Sequence, residues 1–281
     1  MYFPAIKNQS NRNNERFLRM QVQKKLVVGL CVENIDMITA LRRFIERIKK
    51  HFYHKELAYL AVAISAYLLY SYFDRNTFLN IVYNILEIVP ARGEERKFHG
   101  LIVRHLSPII FLFLLPIAAS LLIERKKQVL PDKLGLKLKN KKMGFSVLSV
   151  SFLVMAIAIF ISTRIFPSFK TYYPYSELVK YSIQAFIVYE IFRFLYFIGW
   201  EFFFDSFLLF PYKEKMGSFA IFMSIIPFVM VHIGKPGPEV VGSFFGALFL
   251  TILSYETESF WYSMLLHGTV AVTMDAMVVF L

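Results

Sequence analysis

Three ionisable side chains stand in three separate apolar stretches near the end of the chain: Glu201 in GWEFFFDSFLLF, His232 in IIPFVMVHIG and His267 in YSMLLHGTVAVTMD. A charge at membrane depth costs roughly 2.5 to 3.5 kcal/mol on insertion scales, so such groups persist where they line a bundle interior or do chemistry. One carboxylate and two imidazoles from different helices compose a candidate catalytic cluster. The same trio is a His2Glu donor set with one open position, a pattern that suits catalytic zinc.

Around the trio stand supporting candidates. Glu190, Arg193, Glu201 and Asp205 are separated by 3, 8 and 4 residues, which keeps them on one face of a helix over about four turns. Glu190 and Arg193, one turn apart, read as an ion pair that serves packing. Glu201 has no Lys or Arg within one turn. His232 follows Phe228 by one turn, and the turn HIGKPGPE after it places the imidazole near the edge of the hydrocarbon, where non-helical backbone is tolerated if it lines a cavity. Ala271 and Asp275 share a face with His267.

The elements that must position these groups are membrane helices. Of 281 residues 57% are hydrophobic, the mean hydropathy is +0.50, and several long windows are nearly free of charge. The reading is all-α, a polytopic bundle of about seven or eight transmembrane helices around a polar cavity. The net charge of +12 does not indicate nucleic acid, because Lys and Arg flank the apolar spans, as orientation and contact with membrane lipids require. Cys31 is the sole cysteine, which excludes a disulfide framework or a thiolate metal site within one chain.

Residues 1 to 23 read as a polar tail and 35 to 52 as an amphipathic helix at a membrane surface. No cleavable signal peptide is expected, so the first span is the insertion signal. Spans are expected at Leu57 to Phe73, Leu106 to Ile123 (bent at Pro108 and Pro116), Phe145 to Phe166, Leu178 to Phe210 (one long helix in preference to two short spans broken near Gly199), Phe219 to Ile233, Val240 to Tyr255 and Phe260 to Leu281. A connector with an interfacial helix fills 74 to 105. Twelve Lys and Arg precede the first span and eight lie between the second and third, against Lys170 alone in 167 to 177, which puts the N-terminus in the cytoplasm.

The chain resembles the CPBP family of intramembrane proteases, which includes the Rce1-type CAAX prenyl endopeptidases and bacterial relatives linked to bacteriocin self-immunity. Its marks are EExxxR, FxxxH and a later histidine followed one turn on by Asn or Asp. WEFFFD at Trp200 to Asp205 stands at the first, Phe228 to His232 matches the second, and HGTVA at His267 to Ala271 stands at the third. Trp200, Asp205 and Ala271 depart from the family's Glu, Arg and Asn or Asp. The likeness covers Leu136 to Leu281 and divides the chain into 1–56 (tail and surface helix), 57–135 (N-terminal spans) and 136–281 (CPBP-like core).

The resemblance implies an endopeptidase acting on a membrane-associated peptide or protein, with Glu201 and His232 activating water and His267 stabilising the oxyanion; Asp275 could stand in for the partner lost at Ala271. Zinc held by Glu201, His232 and His267 stays open beside that glutamate mechanism. A bacterial inner membrane and an unprenylated substrate follow from likeness to bacterial members. Two other readings remain: an inactive relative that binds a partner or peptide, and a proton-coupled transporter.

Overall fold

The computed structural model describes Met20 and residues 39–47, 55–124 and 126–281. Cys31 and, Met20 apart, the expected tail lie outside the described residues; of the surface helix expected over 35–52, residues 39–47 are described, as an exposed helix. The chain divides into two units, Met1–Leu57 and Ala58–Leu281, and the second carries the candidate site.

The principal helices are α1 (Lys55–Tyr72), α2 (Arg75–Ile85), α3 (Gly93–Pro108), α4 (Leu115–Ile123), α5 (Lys141–Ile165), α6 (Ile183–Phe202), α7 (Ala220–Met230), α8 (Gly237–Thr257) and α9 (Trp261–Phe280). The described residues contain no strand. Five stretches are long and apolar enough to cross a membrane: Gly93–Ile123, Lys141–Ile165, Ile183–Met230, Gly237–Thr257 and Trp261–Phe280; α1 with α2, bent by 71°, brings the number to six. The protein is a polytopic α-helical membrane protein.

That number lies below the expected seven or eight for physical reasons. The 11 residues of α7 rise only about 16 Å, half of a hydrocarbon core of about 30 Å, and α7 continues the stretch that begins at Ile183. The second span also begins earlier than Leu106, because the charged GEERK run forms the first turns of α3. Pro108 lacks an amide donor, and a π-helical turn, Ile109–Leu114, follows it before α4 resumes.

The expected Leu178–Phe210 helix is in fact three pieces. The Ser182 hydroxyl accepts from the Ala185 amide at 3.2 Å and caps a fresh helix, α6, separate from Glu177–Tyr181. At Phe202 the helix widens into the π-helical turn Phe203–Phe207, and Phe210–Met216 follows. Gly199 does not break α6: the Pro108 backbone lies against it so closely that any Cβ would collide, and α3 packs against α6 there.

Both ends of the bundle are tied. At one, the loop after α4 is held by side chains of the α8–α9 corner: the Trp261 indole donates to the Leu136 carbonyl at 2.7 Å, and the Tyr262 hydroxyl to the Lys139 carbonyl at 2.8 Å. Ser206 donates to the Leu134 carbonyl from the π-helical turn. At the other end, the Tyr173 hydroxyl donates to Glu239, 2.8 Å from each oxygen, joining the α5–α6 connection to the start of α8.

Candidate active site

Glu201 lies in the last turn of α6 and is fully buried. Its Oε1 is 2.5 Å from Nδ1 of His267, which α9 presents from the opposite side. Phe197 and Phe228 wall the imidazole, with ring centroids 4.4 and 5.7 Å away. Gly268 makes room for α6, since a Cβ there would lie 2.9 Å from the Phe194 ring.

His232 follows α7 in a turn. Its Nδ1 is 2.8 Å from the Phe228 carbonyl, and its ring stacks on Phe228 at 4.8 Å. A carbonyl only accepts, so this contact assigns the proton to Nδ1 and leaves Nε2 with its lone pair. His232 stands outside the spans, and burial, with Lys235 adding to it, pushes its imidazole down to about 4. It is therefore neutral at pH 7.

A cavity of about 890 Å³ is lined by both histidines, Trp200, Phe228 and Ala271, and by Arg104, Arg193, Lys235 and Glu239 further along. Glu201 does not line it. Neighbouring helical residues point about 100° apart. Trp200 faces the cavity, stacked on Tyr196 at 5.0 Å, while Glu201 turns to His267. The first glutamate of the family pattern is thus replaced by an indole at the cavity wall, and the second meets an imidazole rather than the cavity.

The supporting residues divide in the same way. Arg193 pairs with Asp275 on α9 and donates to the Tyr189 hydroxyl at 3.1 Å, so the expected pair with Glu190 is not the one formed. Both Glu190 oxygens are buried without a hydrogen-bond partner. Asp275 is occupied by Arg193, fully buried, and absent from the cavity wall, so it does not replace a donor at Ala271. Asp205 stays within side-chain contact of Glu201 one turn on, and its Oδ1 accepts from Thr251 on α8 at 2.7 Å and from Ser224 on α7 at 3.1 Å. That carboxyl ties three helix segments together.

Among the described residues no group of three or more His, Cys, Asp or Glu side chains is gathered as a metal ion requires. Glu201 spends Oε1 on His267, and although both imidazoles keep a free Nε2, the three groups are not gathered closely enough to make the expected zinc set.

Residues 182–273 match the model of the type II CAAX prenyl endopeptidase Rce1-like family. That segment is similar to the Rce1-like family. It comprises 92 of the 281 residues, runs from the Ser182 cap into α9, and holds Glu201, His232 and His267 together. No curated protein and no solved structure matches the chain.

Part of the cavity comes from residues that the sequence pattern did not single out. Arg104 and the buried His105 lie on α3, where a charged first half hid the span. Tyr173 and Tyr175 sit in a connection that shows no periodicity. Lys235 and Glu239, paired at 2.9 Å, carried a readable signal, opposite charges four residues apart in KPGPE.

Proposed function

We propose that the protein is an intramembrane endopeptidase that hydrolyses a peptide bond of a membrane-associated substrate. The 2.5 Å contact between Glu201 and His267 at the wall of the cavity carries this reading. With the Nδ1 proton of His267 directed at Glu201, Nε2 is the base. It takes a proton from water as the oxygen attacks the scissile carbonyl, and returns it to the amine nitrogen as the C–N bond breaks. His232, neutral with Nε2 free, accepts the other water hydrogen and orients the attack. The role of base therefore falls to His267, with Glu201 holding it, rather than to Glu201 directly.

Position 271 offers no donor for the oxyanion, an absence that elsewhere lowers rates roughly 100- to 1000-fold. Together with Trp200 at the wall, this favours a second reading, a relative that seats a peptide without cutting it. The basic flanks and the resemblance support a bacterial inner membrane, with a cytoplasmic N-terminus. The test is cleavage of a membrane-tethered, internally quenched peptide library by the purified protein in proteoliposomes. Turnover that disappears in His267→Ala supports the peptidase; retained turnover overturns it, and binding without turnover in the wild type establishes the second reading.

A further inference from the structure

Three cations line the cavity beyond the histidines, and they differ in what neutralises them. Arg193 has Asp275, and Lys235 has Glu239, whose two oxygens are also taken by the Tyr173 hydroxyl. Arg104 has neither. Its surroundings are the phenols of Tyr70, Tyr172, Tyr175 and Tyr196, and among the described residues no carboxylate is within ion-pair distance. Its guanidinium lies 5.4 Å from the centroid of the Tyr175 ring, and that of Arg193 lies 5.7 Å from the same centroid. Beside it His105, 3% exposed and lining the same cavity, has a buried Nδ1 without a partner.

A guanidinium at membrane depth without a counter-charge is expensive, and a bidentate carboxylate is what its planar fork matches best. The one carboxylate lining this part of the cavity, Glu239, is already shared. We infer that the cavity selects a peptide carrying an acidic side chain, whose carboxylate is held between Arg104 and Lys235 while the chain passes the histidines. This rests on the reading of the cavity as a peptide site, and deepens it by naming the substrate's charge. His105 adds a polar nitrogen to the same subsite, and the tyrosine phenols screen it from lipid.

The probe is a set of palmitoylated fluorescent hexapeptides with C-terminal amides, in which one Glu is walked through the sequence, and a matching set with Gln. Binding of both sets is read by anisotropy on the full chain in phosphatidylcholine nanodiscs, for the wild type and for His267→Ala. At least one Glu peptide is expected to bind roughly tenfold or more tighter than its Gln twin, as a charge-assisted pair allows. The preference is expected to vanish in Arg104→Gln, persist in Arg104→Lys, and weaken in Lys235→Gln, which lies in a turn and disturbs no helix. Equal binding of the two sets, or a preference unchanged in both Gln variants, overturns the inference. So does loss of the preference when phosphatidylglycerol replaces phosphatidylcholine, since the occupant is then a lipid anion. An acid preference without turnover keeps the subsite and sinks only the peptidase.

Discussion

Two cross-links join α6 to α9, and they use the same spacing for different ends. Arg193 meets Asp275 and Glu201 meets His267; eight residues separate the first members and eight the second, in opposite chain directions. One antiparallel register therefore satisfies both. In the first rung both side chains are almost wholly enclosed, with exposures of 6% and 0%. In the second the carboxyl is enclosed, while the imidazole keeps 19% and reaches the cavity. A closed rung fixes where two helices sit; an open one has a nitrogen left over for chemistry.

The largest expected effect breaks the open rung. His267→Ala should abolish cleavage, and Glu201→Gln should lower it by about 10⁴, as when the carboxylate behind a catalytic histidine is lost elsewhere. Turnover in proteoliposomes measures both, and thermal unfolding in detergent checks that each variant is folded. A Glu201→Gln protein as fast as the wild type would mean that His267 needs no orienting carboxyl. The comparison between rungs would then lose its functional half.

Breaking the closed rung should act mainly on stability. Asp275→Asn leaves the Arg193 charge buried and unpaired, for which about 3 to 5 kcal/mol is the usual loss. The exchanged pair, Arg193→Asp with Asp275→Arg, should recover part of it, because the register needs one of each sign and not a particular order. Unfolding midpoints for the two singles and the double decide this: additive losses in the double would show that the two side chains act separately.

How much of this was legible depends on what each residue's position rests on. Apolar length and flanking charge announce membrane helices, and ionisable residues inside apolar runs announce Glu201, His232 and His267. Which neighbour each one meets is another matter. Helical spacing put Glu190 beside Arg193 and Asp205 beside Glu201. A cross-helix partner, Asp275, claimed the arginine instead, whereas Asp205 does stay beside Glu201 and adds hydroxyl partners on α7 and α8 that helical spacing cannot show. The assignment of Trp200 to the cavity and Glu201 to the bundle was equally invisible, since it depends on the rotation of α6 that Gly199 permits against Pro108.

Asp205 sharpens the same contrast at lower amplitude, because it is a closed contact in which two hydroxyls, beside the Glu201 carboxyl, stand where a counter-charge would be. Asp205→Ala leaves Thr251 and Ser224 without their acceptor, though the two hydroxyls, 3.0 Å apart, can still bond each other. A loss of about 1 to 3 kcal/mol is expected in unfolding measurements, smaller than for Asp275→Asn. Installing the family's residues, Asp205→Arg with Ala271→Asn, should raise turnover through position 271, which lines the cavity, and lower stability through position 205. The single variants separate the two effects.

The smallest effect lies at the water-exposed end, where the loop after α4 meets the α8–α9 corner. Lys139 is 3.0 Å from both Asp132 and Glu258. Hydrogen bonds from Lys137 and Lys139 hold the Asp132 carboxyl below its ordinary range, and Lys139 does the same for Glu258; the two carboxyls in turn hold the Lys139 ammonium above its own. A carboxyl lowered by folding contributes stability that is present above its unfolded value and is lost as the pH falls through the folded one. The raised ammonium contributes stability that is present below its unfolded value and is lost as the pH rises through its folded one. The contribution should thus be flat around neutrality and fade at both extremes. Solvent screens these groups, so the shift in unfolding midpoint between pH 7 and pH 3 attributable to them, read as the difference between wild type and Lys139→Ala, should be far smaller than that caused by Asp275→Asn at pH 7. A shift of equal size would mean that this exposed corner fixes α9 as firmly as the buried rung does.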